Sequence, residues 1–256
     1  MFQSIKQLYG KKLEAADGDI GQVKDFYFDD QSWGIRYLVA DTGTWLTSRQ
    51  VLISPHAFGS LDQPGKILTV NLTRKQIEDS PSIEWHKPVS RQYEEEYHHF
   101  YGWPFYWLGD GLWGMSGFPI LESPAKPFAG ERAAVVCSKP KNPDTHLRSA
   151  HAVNGYHLKC SDGIIGHVCD FMMDSKSWAI VRLVIKMGHR FTGSEVVIPV
   201  NTIDQISYDE STVFVKLTKA EVEKCPAHDL SPFRVSGFTP PEGTSHHSKS
   251  KMASTP

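Results

Sequence analysis

Two aspartates occupy matching places in the two halves of the chain, and paired carboxylates can serve as acid and base. They are Asp25 and Asp170, and each is followed by a phenylalanine. One carboxylate lies in each half, so nothing in the sequence brings the two together. We interpret each as a structural carboxylate that accepts backbone N–H groups at a turn.

Histidines and cysteines are the next candidates, because they are the usual ligands of zinc. His98 and His99 are adjacent, so on a helix or a strand their side chains point in different directions. The first half has other residue types at the places of the second-half candidates, which are His151, His157, His167, His189, Cys160, Cys169 and Cys225. With Cys137, the cysteines contain no Cys-x-x-Cys pair. We therefore predict free thiols and no metal site.

Nucleophilic and phosphate-binding motifs are absent from the sequence. Ser116 and Gly117 do not form a Gly-x-Ser-x-Gly elbow, and the spacing of Gly18 and Gly21 is too short for a phosphate loop. The sequence predicts a protein that is not an enzyme and has no cofactor.

The composition and the charge of the chain indicate which class of partner to expect. The chain has 256 residues and a net charge of -2, and each half holds more Asp and Glu than Lys and Arg. Nucleic acid is therefore not the expected partner, since phosphate binding usually needs a basic face. No apolar run is long enough to span a bilayer, and the first residues do not form a signal peptide, so we expect a cytoplasmic protein.

The strands and helices that position these candidate residues belong to an internal repeat. Residues 7–84 (repeat 1) and 152–229 (repeat 2) match at a constant shift of 145 positions, as from Gly10 to Gly155, without insertion or deletion. Each repeat reads as short strands separated by turns and closed by one helix, which begins after Thr73 or Thr218 in a capping box. We predict two small, mainly β domains, each a closed barrel. The predicted segments are 1–84, a bridge at 85–149, 150–235 and a disordered tail at 236–256.

The bridge is rich in aromatic residues, unlike a flexible linker. We expect a short amphipathic helix with Tyr93, Tyr97 and Phe100 on one face. Two interpretations stay open: the aromatics pack on the two barrels as a shared core, or they form a partner or self-association surface. The candidate interface residues are Tyr97, Phe100, Tyr101, Trp103, Phe105, Tyr106, Trp107 and Trp113.

Several segments together resemble the PRC-barrel family. They are Asp17-Gly18, Ile20-Gly21-Gln22-Val23, Asp25-Phe26, Trp33 to Val39, Val51 to Pro55 and Leu72-Thr73, most of which recur in repeat 2. Repeat 2 departs from this pattern at Val181, which stands where repeat 1 has Arg36. The resemblance implies a tandem of six-stranded barrels that dock other macromolecules without catalysis. It brings no catalytic residue.

The family has two known settings, the photosynthetic reaction-centre H subunit and the ribosome maturation factor RimM. This chain has neither the membrane helix of the first nor the different N-terminal domain of the second. We expect a non-catalytic adapter that docks an unidentified protein, such as a component of a membrane-associated or photosynthetic-type complex. The alternatives are a ribosome or RNA-processing accessory factor and a structural or stress-linked homo-oligomer.

Overall fold

The computed structural model describes residues 1–43, 46, 49–58, 67–81, 89–120, 147–188 and 193–228. The strands, in chain order, are β1 (Phe2–Ser4), β2 (Lys12–Ala15), β3 (Gly18–Asp29), β4 (Ile35–Asp41), β5 (Gln50–Ile53), β6 (Ile67–Thr69), β7 (Leu147–Ser149), β8 (His157–Cys160), β9 (Gly163–Asp174), β10 (Ile180–Met187), β11 (Glu195–Pro199), β12 (Ile203–Ser207) and β13 (Thr212–Val215). The helices are α1 (Arg74–Glu78), α2 (Arg91–Tyr101), α3 (Ala150–Val153) and α4 (Lys219–Glu223).

Each repeat forms one curled sheet around its own apolar side chains. The strand order is β5-β4-β3-β2-β6 in repeat 1 and β11-β10-β9-β8-β13-β12 in repeat 2. A mainly β fold is thus confirmed. The expected full closure is not observed: in the described residues β11 and β12 lie at opposite ends of the ladder, and the 3-10 turn at Val200–Thr202 joins them along the chain. The two end strands of each ladder are consecutive in sequence, β5 and β6 in repeat 1 and β11 and β12 in repeat 2.

Both predicted capping boxes are confirmed. The Thr73 hydroxyl accepts from the Gln76 N–H while Gln76 reaches back to the Thr73 N–H, and Thr218 and Glu221 make the same pair of bonds. These bonds satisfy two of the amide donors that a helix leaves unpaired at its start. The strand expected at 67–72 is shorter, since it ends at Thr69 and Val70 makes only an isolated bridge to Phe58.

The two repeats exchange a strand, which the sequence did not indicate. β1 precedes repeat 1 but pairs antiparallel with β9 of repeat 2, and β7 precedes repeat 2 but pairs with β3 of repeat 1. Phe2 lies opposite Asp174 and Leu147 opposite Asp29, so the two pairings have the same register. Each sheet is therefore completed by a strand that the other repeat supplies.

A second reciprocal contact joins the repeats at matching tryptophans. Trp33 and Trp178 adopt φ of 60° and 57°, a left-handed conformation that bulky residues rarely take. The Ile35 N–H donates to the Trp178 carbonyl and the Ile180 N–H donates to the Trp33 carbonyl, both at 2.8 Å. With the exchanged strands, these bonds relate the repeats by an approximate two-fold axis.

The tail at 236–256, Cys137 and His189 lie outside the described residues. None of the helices in the described ranges is long and apolar enough to cross a membrane.

Candidate functional site: the aromatic bridge

Helix α2 is the first element of the bridge, and its ends are set by local chemistry. The Ser90 hydroxyl accepts from the Tyr93 N–H at the start, and Gly102 ends the helix at φ 71°. Tyr93, Tyr97 and Tyr101 follow one another at four-residue spacing and face repeat 1, whereas Phe100 is exposed. The expectation that Phe100 shares the face of Tyr93 and Tyr97 is therefore wrong, because Tyr101 takes that place.

The inner face of the bridge packs on strands β4 and β5. The Tyr97 ring meets the Tyr37 ring edge-to-face at a centroid distance of 5.4 Å, and its hydroxyl donates to the Leu52 carbonyl at 2.7 Å. The Tyr101 ring stacks on Trp103 at 4.3 Å. Tyr97, Tyr101 and Trp103 are all buried, so this face extends the core of repeat 1.

A polar network lies inside this packing around Glu94, which is 0 % exposed. The hydroxyls of Tyr106 and Tyr37 donate to Glu94 Oε1 at 2.6 and 3.0 Å, and an Arg91 guanidinium nitrogen lies 3.2 Å from Oε2. Burial and then the Glu94 charge raise the pKa of both tyrosines well above the usual value. The hydroxyls therefore stay protonated and act as hydrogen-bond donors, as a structural network requires.

His98 belongs to the same network as a neutral imidazole. Burial, followed by its neighbour His56, lowers its pKa to about 3, although the bond to the Pro104 carbonyl opposes the shift. Since a carbonyl only accepts, Nδ1 donates to Pro104 at 2.9 Å and Nε2 is the unprotonated nitrogen, 3.2 Å from the Tyr37 hydroxyl. His99, the adjacent residue, is exposed, so the two imidazoles point apart as expected.

Arg36 fixes the second half of the bridge. Its guanidinium lies 3.9 Å from the Tyr106 ring centroid and 5.0 Å from that of Trp113, and donates to the Leu112 carbonyl at 2.5 Å. The side chain is 3 % exposed, and Asp29 balances its charge at 3.4 Å. A cation buried between aromatic faces and a carbonyl is a strong positional constraint.

The segment from Leu108 to Phe118, here called the crest, is a tightly folded turn. The Gly111 N–H donates to the Gly114 carbonyl and the Trp113 N–H to the Ser116 carbonyl, at 2.7 and 2.8 Å. A side chain on Gly109 or Gly111 would collide with backbone atoms of the facing residues within 2.7 Å. Trp113 is buried, and its indole N–H donates to the Ser177 carbonyl of repeat 2 at 2.7 Å. The crest is therefore anchored to both repeats.

The outer side of the bridge remains apolar and open. Met115 is 92 % and Phe118 55 % exposed, and Phe100, Leu108 and Ile120 of the bridge are exposed as well. Of the eight candidate interface residues, five are buried against repeat 1: Tyr97, Tyr101, Trp103, Tyr106 and Trp113. Phe105 and Trp107 are half-buried and Phe100 is exposed. The sequence prediction included the anchors of the surface but not Leu108, Met115, Phe118 and Ile120, because exposure outside a helix leaves no periodic signal in the sequence.

The paired aspartates do accept backbone N–H groups, as expected, but from the exchanged segments. Asp25 accepts from the His151 N–H and Asp170 from the Lys6 N–H, each at 3.0 Å. Burial and then both carboxylates raise the pKa of Tyr9. Both carboxylates thus act on the pKa of one tyrosine, while their hydrogen bonds are made to two different exchanged segments.

The other candidate ligands do not converge. Within the described ranges, no group of three His, Cys, Asp or Glu side chains is arranged to hold a metal ion. Cys160, Cys169 and Cys225 are free thiols, and burial raises the pKa of Cys169 to about 12. Such thiols are poor nucleophiles, because the reactive species is the thiolate.

Residues 2–77 match the family model of the PRC-barrel domain. Repeat 1 is therefore similar to the PRC-barrel domain. The match begins at exchanged strand β1 and ends in helix α1, so it includes a strand that pairs with the other repeat. It does not extend to repeat 2, and the tandem of two PRC barrels stays a prediction.

One relative carries no functional description. The chain is 31 % identical over 103 residues to an uncharacterized protein of Deinococcus radiodurans, a match that covers 35 % of this chain and 37 % of the relative. The chain thus spans little more than a third of that relative's length.

Proposed function

We propose that the protein is a non-catalytic interaction protein that docks a macromolecular partner through the outer side of the bridge. The observation that carries the proposal is the crest, an apolar turn held rigidly on two repeats with Met115 92 % exposed. The PRC-barrel domain in repeat 1 is compatible with this role. We further propose that repeat 2 is a second barrel of the same kind and that the protein is cytoplasmic.

Rigidity is the reason to assign binding to the crest. Ordering a flexible loop on association costs free energy, so a turn that is already fixed binds more tightly for the same contacts. Trp113 anchors the crest from below through Ser177, while Leu108 and Phe118 remain exposed. Such an arrangement offers large apolar side chains to a partner at little entropic cost.

The bonding pattern below the crest supports a non-catalytic role. His98 is neutral, and the Tyr37 and Tyr106 hydroxyls stay protonated, each held by packing. Groups that serve as acid or base usually titrate near the working pH. The pKa values of His98, Tyr37 and Tyr106 are all shifted away from it.

The test is affinity capture from the native lysate with single substitutions in the crest. Met115→Asp and Phe118→Asp place a charge on the proposed surface without touching the buried anchors. Ile164→Asp is the matched control, because Ile164 is also apolar and 55 % exposed but lies on repeat 2. We expect one defined partner with wild type and the control, and its loss with both crest variants.

Two results would overturn the proposal. Equal capture by crest variants and control would remove the crest from the interface. Capture of the protein alone, with light scattering showing a dimer that Met115→Asp dissociates, would assign the surface to self-association instead.

A further inference from the structure

The exchanged strands are recognised by the same set of bonds in both repeats. The Ser4 hydroxyl donates to Asp170 Oδ2, and the Lys6 N–H donates to Oδ1 at 3.0 Å. In the other repeat the Ser149 hydroxyl donates to Asp25 Oδ2 at 2.5 Å, and the His151 N–H donates to Oδ1 at 3.0 Å. In each repeat, one carboxylate thus accepts a hydrogen bond from a serine hydroxyl and another from the backbone N–H two residues later in the same segment.

The two bound segments share few residues. They read Phe2-Gln3-Ser4-Ile5-Lys6 and Leu147-Arg148-Ser149-Ala150-His151, so only the serine is identical. The residue after the serine, Ile5 or Ala150, is fully buried in both. Both segments are therefore a three-residue strand that begins with an apolar residue and ends in a serine, followed by a buried apolar residue at which the strand has already ended.

The remaining contacts are those of a sheet edge, which accepts any extended chain. Strands β9 and β3 each offer three consecutive residues to the incoming strand, Met172 to Asp174 in one and Tyr27 to Asp29 in the other. Main-chain bonds of this kind give affinity without specificity, and side-chain pockets supply the selection. Here the aspartate and the pocket for Ile5 or Ala150 are the selective elements.

We propose that the edges of β9 and β3 are two copies of one peptide-binding site for the pattern apolar-x-Ser-apolar-x, and that a second copy of this chain can supply the peptide. The second copy is the occupant because this chain carries two fitting segments, and each already serves a repeat other than the one it precedes. The site lies on the exchange strands and does not depend on the crest. A failure of the proposed docking function would leave it intact.

The first experiment measures binding of a short peptide to an opened site. Replacing residues 2–6 by five glycines keeps the chain length but removes the apolar and serine side chains, which vacates the edge of β9. A labelled peptide with the sequence of residues 1–8 should bind this variant in fluorescence anisotropy. The same peptide with Ser4→Ala, or the same variant with Asp170→Asn, should bind at least about tenfold more weakly, the factor that corresponds to one modest hydrogen bond.

The second measurement tests whether the edge of β9 also binds the other exchanged segment. A peptide with the sequence of residues 146–153 should also bind the vacated edge of β9, because Ser149 and Ala150 meet the same requirements as Ser4 and Ile5. Failure of the native peptide to bind a folded recipient would overturn the proposal, and so would equal binding of the Ser4→Ala peptide. If the glycine variant does not fold, the full chain with Ser4→Ala replaces it, and the native peptide must bind in competition with the weakened strand.

The second copy is tested by complementation. The glycine variant has an intact acceptor and no strand, whereas an Asp170→Asn chain has an intact strand and a damaged acceptor. Light scattering should show a 1:1 heterodimer in the mixture and monomers of each chain alone. A mixture that stays monomeric while the peptide binds would overturn the assignment of the second copy as occupant.

Discussion

In the described residues, repeat 1 and repeat 2 share five matching strands in the same order, and the bridge packs on strand β4 of repeat 1. Under the bridge, Arg36 and Tyr37 are buried, while the matching Val181 and Arg182 of repeat 2 are partly exposed. Tyr37 donates to Glu94 and packs on Tyr97, and both of these partners belong to the bridge. The two repeats therefore differ in sequence at the positions that the bridge covers in repeat 1.

Positions that are identical in the two copies describe the opposite case. Ser4 and Ser149, Asp25 and Asp170, and Trp33 and Trp178 all make contacts that cross between repeats. These identities lie at the joint between the repeats, whereas the divergence at positions 36 and 37 lies under the bridge.

The largest effect is expected at Tyr97. Tyr97→Ala should lower the free energy of unfolding by about 3–5 kcal/mol, because a fully buried ring and its bond to the Leu52 carbonyl are lost. Phe100→Ala, three residues along the same helix, is the control and should cost less than about 1 kcal/mol, since Phe100 is exposed. Urea unfolding followed by tryptophan fluorescence measures both. Equal losses would mean that the bridge is not part of the core of repeat 1.

Glu94 ranks next. Glu94→Gln keeps the shape but removes the charge that faces Arg91 and two tyrosine hydroxyls, and we expect a loss of about 3 kcal/mol. Asp204→Asn is the control, because Asp204 is an exposed carboxylate 3.8 Å from Lys216 and should contribute less than about 0.5 kcal/mol. A loss at Glu94 no greater than at Asp204 in chemical denaturation would contradict a buried network.

Much of the fold could be predicted from sequence because its signals are local. The capping boxes at Thr73 and Thr218 lie within four residues, and the strand periodicity around Ile20 or Ile165 is a property of the segment itself. The strand exchange could not be predicted this way. A strand such as Phe2–Ser4 fits either sheet equally well when the two sheets are copies, so the pattern does not say which one it joins.

The bridge was only half predictable for a related reason. Aromatic composition indicates that Trp103, Trp107 and Trp113 pack against something, but periodicity does not tell a buried ring from an exposed one outside a helix. Met115 lies in a turn whose shape depends on close backbone approaches at Gly109 and Gly111 to other residues of the crest, and such approaches have no periodic sequence signal. The eight-residue interface prediction accordingly mixed anchors with surface.

A reciprocal exchange of residues sharpens the comparison between repeats. Arg36→Val installs the repeat 2 residue in repeat 1 and should cost about 2 kcal/mol, since the Leu112 carbonyl loses its donor and Tyr106 loses the nearer of its two cations. Val181→Arg installs the repeat 1 residue in repeat 2, where the side chain is half-buried, and should change stability by less than about 0.5 kcal/mol. Matched thermal and urea unfolding checks both. Similar costs would show that position 36 serves the sheet and not the bridge.

The smallest expected effect is a pH dependence that separates two matching carboxylates. Burial would raise the pKa of Asp29, but the Gln31 N–H, the Ser32 hydroxyl and Arg36 outweigh it and lower the value. Burial would likewise raise the pKa of Asp174, and Ser177 and the terminal ammonium of Met1 lower it. Both pKa values are depressed in the folded state, so their stabilisation is present above the ordinary value of about 3.9 and is lost as pH falls through the folded values.

The pKa of Asp25 shifts in the opposite direction, because burial raises it despite the hydrogen bonds from Ser149 and His151. Its contribution is present below about pH 3.9 and is lost as pH rises through the folded value. We therefore expect Asp29→Asn to reduce the loss of stability between pH 6 and pH 3, and Asp25→Asn to enlarge it. Asp174→Asn should act like Asp29→Asn but more weakly, by well under about 1 kcal/mol, since its partner is a solvent-exposed terminus and not a buried arginine. Urea midpoints at the two pH values measure all three, and an Asp174 effect larger than that of Asp29 would contradict the assignment of Arg36 as the asymmetric element.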